Sequence, residues 1–289
     1  MSRQLDGRIA VVTGASRGIG KGIARELGAA GATVYVTGRT VEAGVNPLPG
    51  TVGETAALID ELGGHGVAVA CDHHDDDAVA ALFARVADDH GRLDVLVNNV
   101  FSSPDLAPWL GMPFWEMPIA VWDETIDIGV RSHYVAAHGA APLLIANGGG
   151  LIVNVSSSGA VQYAHNVAYG VGKAAVDKLT ADLAHDLAPH DVAVVSVWPG
   201  LVRTELVEMG ATVTDDGRRV LGLPGEGEFD LADAESPRFS GRAVVALAAD
   251  ADRAARSGRA FPVAELAAAY GFTDVDGSAG GVQIRPEGP

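Results

Sequence analysis

The sequence predicts an α/β fold built on one parallel sheet of about seven strands. Short β-branched and apolar runs alternate with longer helical patterns along the 289 residues. Apolar strands separated by helices are typical of a doubly wound parallel sheet that carries helices on both faces. The predicted strands lie at 9–13, 33–37, 67–70, 93–97, 151–155, 192–197 and 259–263, and the predicted helices at 18–30, 53–62, 76–90, 120–146, 164–188 and 240–249. This arrangement is Rossmann-like.

The sequence has no internal repeat and no long low-complexity linker, so we expect a single domain over residues 1–289. Within it we expect a substrate loop at about 200–240 and a C-terminal tail at about 265–289. Further loops are expected at 42–53 and 100–118. Long loops in a compact α/β domain are usually functional or mobile, and ligands of such sheets bind outside the carboxyl ends of the strands. The loops are therefore expected to surround one site.

The composition argues against several classes of partner. The net charge of −17 and the isoelectric point near 4.7 disfavour nucleic acid and anionic membrane surfaces. This acidity serves solubility or, as the alternative, adaptation to high salt. No apolar run approaches the ~18 residues that span a bilayer, and the chain passes from Met1 into the first strand without a signal segment. Cys71 is the only cysteine, which excludes an internal disulfide and favours a reducing cytoplasm.

A cluster of two histidines and three aspartates follows the third strand. Asp75, Asp76 and Asp77 fit the start of a helix, where carboxylates cap free N–H groups. We interpret His73, His74 and these aspartates as a capped helix entry. No further ligand cluster has a matching spacing, so no metal site is expected.

A glycine-rich turn follows the first strand and opens the first helix. Gly14, Gly18 and Gly20 have the spacing G-x-x-x-G-x-G. Glycine permits a tight turn in which the backbone approaches a pyrophosphate at a helix N-terminus. The sequence therefore predicts a nucleotide-binding turn that contains Thr13, Gly14, Ser16, Arg17, Gly18, Ile19 and Gly20.

The end of the second strand indicates which nucleotide binds. An acid there holds the ribose 2′-hydroxyl of NAD, whereas a 2′-phosphate favours arginine. The strand ends in Thr37-Gly38-Arg39 without an acid, and Arg17 lies inside the glycine turn. Arginine matches phosphate oxygens with two parallel hydrogen bonds. We therefore expect NADPH in preference to NADH, the alternative being that both arginines are simply solvated.

Tyr169 and Lys173 stand four residues apart, and Ser157 lies twelve residues upstream of the tyrosine. A helix places residues four apart on one face, so a phenol, an ammonium and a hydroxyl can surround one carbonyl. A nearby ammonium favours the tyrosinate and lowers the tyrosine pKa from near 10. We expect Tyr169 to transfer the proton, Lys173 to activate it and Ser157 to orient the carbonyl, with Ser156 as the competing hydroxyl.

These motifs resemble the short-chain dehydrogenase/reductase family from Gly7 to about Gly277. The segments 122–124, 162–163, 169–173 and 270–277 resemble its member one subgroup more closely. The resemblance implies that Ser157, Tyr169 and Lys173 are catalytic and that the last two also contact the cofactor. It implies that Thr13 and the three glycines form the pyrophosphate turn. It places Asp72 at the adenine and Asn98 near the adenosine or the central strand. At the nicotinamide end, it implies contacts from Pro199, Gly200, Val202 and Thr204.

Two positions depart from the family pattern. The family's Asn-Asn-Ala-Gly reads Asn-Asn-Val-Phe here, at residues 98–101, which makes that turn bulkier. The family also has an asparagine in the following long helix that holds a proton-relaying water. Gly129 occupies that position, and glycine inside a helix costs about 1 kcal/mol relative to alanine. Ser132 or His133, one turn further on, could substitute for the asparagine.

The expected function is the NADPH-dependent reduction of a hydrophobic ketone or aldehyde, or the reverse alcohol oxidation. Aromatic residues near the 100–118 loop fit a hydrophobic carbonyl substrate or simply pack that loop onto the sheet. A homodimer or homotetramer is expected from the family's pairing of its two long helices. The alternatives are an NADP(H)-binding regulator or scaffold with little activity, and an enzyme of carrier-bound acyl chains, which the net charge disfavours.

Overall fold

The seven predicted strands form one parallel sheet. The structure, a computed structural model, describes residues 3–102 and 106–281. Its strands are β1 (Ile9–Val12), β2 (Thr33–Gly38), β3 (His65–Ala70), β4 (Val95–Asn98), β5 (Gly150–Val155), β6 (Val192–Trp198), β7 (Thr212–Val213), β8 (Arg219–Leu223), β9 (Gly227–Asp230) and β10 (Ala260–Pro262). The large sheet has the order β3-β2-β1-β4-β5-β6-β10, and all its pairs are parallel. The predicted doubly wound α/β fold is confirmed.

The chain changes direction across the sheet at β1. Ala10 of β1 pairs with Val34 of β2 on one side and with Val95 of β4 on the other. Such a switch point leaves a crevice beyond the carboxyl ends of the two central strands. The fold therefore directs a ligand to the ends of β1 and β4.

Ten helices are present in the described residues, and the long ones cover both faces of the sheet. They are α1 (Gly18–Ala29), α2 (Val52–Glu61), α3 (Asp76–His90), α4 (Leu106–Trp109), α5 (Ile119–Ile126), α6 (Ser132–Ala146), α7 (Val167–Leu187), α8 (Glu205–Gly210), α9 (Pro237–Ala249) and α10 (Val263–Tyr270). Val12 packs in the core with α1, α2, α9 and α10, whereas Val11 packs in the core on the α3 and α6 side. This alternation follows from the two-residue period of a strand. Within residues 3–102 and 106–281, each helix is too short or too polar to cross a bilayer.

Side-chain caps fix where several helices begin. The Asp75 carboxylate accepts hydrogen bonds from the backbone N–H groups of Asp77 and Ala78 at the start of α3, which confirms the capped helix entry. Thr51 and Glu54 form a reciprocal capping box at α2. The Asn166 side chain accepts the Tyr169 backbone N–H at 2.9 Å and caps α7. This cap sets the helical turn on which Tyr169 lies.

The helical segment predicted at 120–146 contains a π-helical turn. A π-helical segment, Asp127–Arg131, separates α5 from α6. Gly129 lies within it, and π-helical turns are frequent at functional sites. The predicted helical segment is confirmed, but the apolar pattern does not reveal the extra residue in the π-helical turn.

The segment predicted as a loop at 200–240 contains regular structure. β7, β8 and β9 form an antiparallel sheet, and Leu201 and Leu231 are buried in a small cluster beside it. The strands are short and separated by glycines at positive φ, such as Gly217 at 86° and Gly225 at 77°. That composition resembles a loop, so the sequence did not distinguish the two.

The C-terminal tail predicted at about 265–289 begins inside a helix. α10 extends to Tyr270, and the expected strand at 259–263 is shorter, as β10, because α10 begins at Val263. Residues 282–289 lie outside the described part of the chain.

Helices α1 and α9 contact each other through glycines. A Cβ built on Gly22 would lie 2.1 Å from the Pro237 carbonyl oxygen, and one on Gly241 would lie 2.6 Å from the Gly22 carbonyl oxygen. Real Cβ atoms do not approach backbone this closely, so the helices can pack at this distance only where side chains are absent.

We expect Gly22→Ala to lower the free energy of unfolding by about 1–3 kcal/mol, because α1 and α9 must separate. Gly53→Ala in the first turn of α2 is the matched control, since its new Cβ would have only Thr51 Oγ1 nearby, at 3.8 Å. That variant should be neutral or gain up to about 1 kcal/mol. Urea denaturation of both variants measures this difference, and equal stabilities would contradict the packing constraint.

Candidate active site

A cavity of about 850 Å³ opens at the carboxyl ends of the strands. Its wall is formed by the glycine turn after β1 and by the segments that follow β2, β3, β4, β5 and β6. Fourteen of the predicted site residues line it: Gly14, Ser16, Arg17, Gly18, Ile19, Arg39, Asp72, Ser157, Tyr169, Lys173, Pro199, Gly200, Val202 and Thr204. The fold therefore brings the predicted cofactor residues and the predicted catalytic residues to one site.

Three predicted cofactor residues do not line the cavity but lie beneath its wall. Thr13 is buried, and its Oγ1 accepts the backbone N–H groups of Asn99 at 2.9 Å and Val100 at 3.1 Å. Asn98 is also fully buried and donates to the carbonyl of His133 and to Asn154 Oδ1. Gly20 is the third. Asn98 thus lies among the central strands, the second of the two placements expected for it, and the next residue of the turn, Asn99, lines the cavity.

The glycine turn requires glycine at two positions for steric reasons. Gly14 has a φ of 63°, and a Cβ there would lie 2.9 Å from Val100 Cα. A Cβ on Gly20 would lie 2.5 Å from the Gly14 carbonyl oxygen. The absence of both side chains therefore lets α1, the glycine turn and the segment after β4 pack closely together.

The N-terminus of α1 already holds an anion. The Gly18 backbone N–H donates to Glu205 Oε2 at 2.8 Å, and this carboxylate belongs to the first residue of α8. Free N–H groups and the helix dipole make such an end a site for phosphate or carboxylate. The carboxylate stands in for a phosphate, so the turn fits the pyrophosphate of a dinucleotide. Sequence reasoning missed Glu205, since its contact lies 187 residues away.

Two arginines lie at the β2 end of the cavity. Arg17 donates to Thr40 Oγ1 at 3.0 Å and to the Gly50 carbonyl at 2.9 Å, and its Nε donates to Pro49. Burial lowers the pKa of Arg17; Glu205 opposes that shift and the nearby Arg39 charge adds to it. Because Arg39 is exposed and close to Arg17, an anion between the two guanidiniums would relieve their repulsion.

Ser157, Tyr169 and Lys173 meet at the end of β5. The Tyr169 hydroxyl donates to Ser157 Oγ at 3.0 Å, and Ser157 also accepts the Gly159 backbone N–H at 3.1 Å. Lys173 Nζ donates to the Val155 carbonyl at 3.2 Å. The Ser156 hydroxyl instead donates to the Lys173 carbonyl. The geometry therefore favours Ser157 over Ser156 as the hydroxyl beside the phenol.

The pKa of the Tyr169 phenol is raised in this structure. Burial is the largest cause, the hydrogen bond with Ser157 opposes it, and the Glu226 charge adds to it. Burial lowers the pKa of Lys173 to about 8, with Asp177 opposing that shift. The net shift is opposite to the lowering expected from Lys173, because burial outweighs an ammonium that lies 5.6 Å from the ring centroid and donates an N–H group to the Val155 carbonyl.

The two departures from the family pattern are in contact with each other. A Cβ on Gly129 would lie 3.5 Å from Phe101, whose ring faces the missing side chain. The Phe101 ring also packs edge-to-face against the Tyr169 ring, with 5.8 Å between the two centroids. Lys173 Nζ lies 5.1 Å from the centroid of the Phe101 ring. Phe101 thus links Gly129 to both predicted catalytic groups.

The two residues considered as substitutes for the relay asparagine, Ser132 and His133, form hydrogen bonds with backbone carbonyls. The Ser132 hydroxyl donates to the Ile128 carbonyl at 2.6 Å. His133 is buried, and its Nε2 lies 3.1 Å from the Val100 carbonyl. Burial lowers the pKa of His133 to about 3, so the ring is neutral at physiological pH and donates through Nε2. His133 therefore holds the turn that positions Phe101.

Of the aromatics expected near the substrate, Phe101 lines the cavity. Phe114 and Trp115 are well exposed and pack against each other. The remaining apolar wall comes from aliphatic residues such as Ile128, Leu201 and Leu206. Residues 103–105 of this loop lie outside the described residues. Among residues 3–102 and 106–281, no group of three or more His, Cys, Asp or Glu could hold a metal ion.

Known proteins are similar to this chain in sequence and in fold. A family model described as short chain dehydrogenase matches residues 8–212. The Mus musculus protein named dehydrogenase/reductase SDR family member 1 is 44% identical over 279 residues, which are 96% of this chain and 86% of that protein. A crystal structure of a metagenomic short-chain oxidoreductase in complex with NADP is 33% identical, with a TM-score of 0.67, and the match covers 86% of this chain and 94% of that one. A 7α-hydroxysteroid dehydrogenase complexed with NADH and 7-oxo glycochenodeoxycholic acid is 25% identical with a TM-score of 0.75, and covers 98% of both chains.

We expect Phe101 and Gly129 to be energetically coupled. Gly129→Asn should lower the free energy of unfolding by about 1–3 kcal/mol, because atoms beyond its Cβ would overlap the Phe101 ring. Gly129→Ala is the control, since its Cβ would make only ordinary contact, at 3.5 Å. In a double-mutant cycle measured by urea denaturation, Phe101→Ala should relieve the cost of Gly129→Asn. Additive effects would contradict the contact.

Proposed function

The chain belongs to the short-chain dehydrogenase family and is an NAD(P)-dependent oxidoreductase, and on that premise we propose that it reduces hydrophobic ketones or aldehydes with NADPH. It resembles the member one subgroup over nearly its full length. The observation that carries the proposal is the Tyr169–Ser157 hydrogen bond of 3.0 Å, with Lys173 behind it, on the wall of the cavity.

In the proposed reaction, Tyr169 and Ser157 hold the substrate. The substrate carbonyl oxygen accepts hydrogen bonds from Tyr169 Oη and Ser157 Oγ, which polarises the carbonyl. When bound, the dinucleotide supplies the hydride to the carbonyl carbon. Tyr169 gives its proton to the oxygen, so the carbonyl gains one hydride and one proton and becomes an alcohol. Solvent then restores the proton to the phenolate.

With its raised pKa, Tyr169 is protonated near neutral pH, which is the state that a reduction requires of its proton donor. A phenol that retains its proton near neutral pH can act as the general acid of a reduction. Lys173 would stabilise the phenolate that remains after proton transfer. Because burial lowers the pKa of Lys173 to about 8, this support should weaken as the pH rises above that value. Alcohol oxidation is the reverse of the same step.

Arg17 and Arg39 support NADPH as the proposed cofactor. A 2′-phosphate at this end of the cavity would lie between two positive side chains that otherwise repel each other. The metagenomic relative with NADP fits this preference, whereas the 7α-hydroxysteroid dehydrogenase structure contains NADH. Among residues that line the cavity, Gly14 and Gly18 would bring the backbone to the pyrophosphate.

We expect Arg39→Ala to weaken NADPH binding by about tenfold to a hundredfold, since one charge-assisted hydrogen bond contributes about 1.5–3 kcal/mol. NADH binding should change little. Arg85→Ala, on the exposed side of α3, is the matched control and should leave both affinities unchanged. Calorimetric titration with each nucleotide measures the effect, and a parallel loss of NADH affinity would contradict a role in phosphate recognition.

We expect Tyr169→Phe to reduce turnover of ketones by about 10²–10⁴-fold, the range for loss of a general acid. The assay follows consumption of reduced nicotinamide with a panel of apolar ketones and aldehydes. Tyr163→Phe is the matched control, because Tyr163 is half exposed and does not line the cavity. Retained turnover in Tyr169→Phe would sink the proposed mechanism.

The second candidate function is an NADP(H)-binding regulator or scaffold. Phe101 over Gly129 favours it, because the ring faces the position at which the family places its relay asparagine. Tight NADPH binding without turnover of any carbonyl compound in the panel would support this reading.

We further propose that the enzyme is a cytoplasmic homodimer or homotetramer. Exposed apolar side chains on α6 and α7, such as Tyr134 and Val171, support pairing through these helices. The single buried cysteine, Cys71, suits a reducing compartment. The acidic charge disfavours nucleic acid and anionic membranes as partners.

A further inference from the structure

A buried carboxylate in the small antiparallel sheet holds a histidine of the cavity wall. Glu226 lies in the turn between β8 and β9 and is buried. Its Oε1 accepts the His165 backbone N–H and, at 3.0 Å, the His165 Nδ1–H. Its second oxygen, Oε2, has no hydrogen-bond partner within residues 3–102 and 106–281. This pair joins two segments that are 61 residues apart.

His165 is held in a backbone conformation that its side chain does not favour. Its φ is 58°, in the left-handed region that costs a non-glycine residue about 1 kcal/mol or more. Such a conformation persists only where the surroundings impose it. The Glu226 carboxylate on its backbone N–H and the Gly111 N–H on its carbonyl impose it here.

The strained conformation places the His165 ring beside Tyr169 in the cavity wall. The two ring centroids are 4.7 Å apart in an edge-to-face arrangement, and both residues line the cavity. Because Nδ1 is bonded to Glu226, the nitrogen left for another partner is Nε2. That nitrogen makes no hydrogen bond within the described part of the chain.

The chemistry of the ring defines what Nε2 can bind. In the neutral ring the Nδ1 proton points to Glu226, so Nε2 accepts a hydrogen bond; in the protonated ring Nε2 donates one. A hydroxyl group can satisfy either state, because it both donates and accepts. The bonds from His165 outweigh burial and lower the pKa of Glu226, so its carboxylate stays ionised and keeps the ring oriented.

We propose that His165, oriented by Glu226, binds a hydroxyl group of the substrate beside the carbonyl that Tyr169 protonates. The substrate class is therefore a hydroxyketone, or a diol in the direction of oxidation. This proposal rests on the proposed reductase function and adds a second point of attachment to it. The rest of the substrate contacts the apolar wall of Phe101, Ile128 and Leu206.

A purely structural latch would have a different signature. If the pair only fastened the β8–β9 turn to the segment before α7, its loss would weaken binding of every ketone to the same degree. If His165 binds a hydroxyl, its loss removes only the advantage of hydroxylated ketones. The ratio of the affinities for a hydroxylated ketone and for the same ketone without the hydroxyl therefore separates the two roles.

The experiment measures this affinity ratio in a variant that lacks the proton donor, so that binding is measured without turnover. Tyr169→Phe loaded with NADPH is titrated by calorimetry with cyclohexanone and with 2-, 3- and 4-hydroxycyclohexanone, which differ by one hydroxyl. At least one isomer should bind about tenfold more tightly than cyclohexanone, as one hydrogen bond permits. Adding His165→Asn should abolish this preference, since asparagine tolerates a positive φ but is too short to reach the same position. Glu226→Gln should reduce the preference by releasing the ring.

Controls and steady-state rates separate the possible failures. His185→Asn, a fully exposed histidine on α7, should keep the preference. In the wild-type enzyme, the preferred isomer should have a lower KM than cyclohexanone, with a similar kcat. If ketones are reduced but no isomer is preferred, or if His165→Asn retains the preference, this inference is overturned while the reductase function stands. If no ketone is reduced at all, the proposed function fails and this inference fails with it.

Discussion

The buried Lys173 ammonium, bonded to the Val155 carbonyl, is the interaction on which the arrangement of the site depends. A buried ammonium without a hydrogen bond is costly, so α7 is held where Lys173 reaches the end of β5. The Ser156 hydroxyl, bonded to the Lys173 carbonyl, strengthens the same junction. With α7 fixed there, Tyr169 lies one helical turn earlier and meets Ser157 just beyond the strand. One junction between helix and strand thus positions the phenol, the hydroxyl and the ammonium together.

Around this junction, the two positions that depart from the pattern expected of the family are neighbours in space. The bulk of Phe101 and the missing side chain of Gly129 are two sides of one contact. His133 holds the turn that carries Phe101 through its bond to the Val100 carbonyl. As a result, the Tyr169 ring makes edge-to-face contacts with two aromatic rings, those of Phe101 and His165. The cavity wall next to Tyr169 therefore contains both an apolar ring, Phe101, and a polar one, His165.

The fold could be predicted from the sequence because its strands are apolar and regularly spaced. The fourteen cavity residues could be predicted because the carboxyl ends of parallel strands meet at one edge of the sheet. The sequence flagged Phe101 and Gly129 separately but could not join them, since their contact depends on a π-helical turn that has no apolar signature. It missed the His165–Glu226 pair for a related reason. Glu226 lies close to His165 only because the segment after β6 folds into a three-stranded sheet. The short, glycine-rich strands of that sheet have a sequence pattern typical of a loop. Contacts between distant loops are decided by tertiary structure rather than by local pattern.

The most direct measurement is a crystal structure of the protein with NADP+ and a bound ketone or hydroxyketone. The account predicts the pyrophosphate on the Gly18 N–H in place of the Glu205 carboxylate. It also predicts the substrate oxygen within hydrogen-bond distance of both Tyr169 Oη and Ser157 Oγ. A dinucleotide bound away from the glycine turn, or a substrate carbonyl directed away from Tyr169, would contradict it.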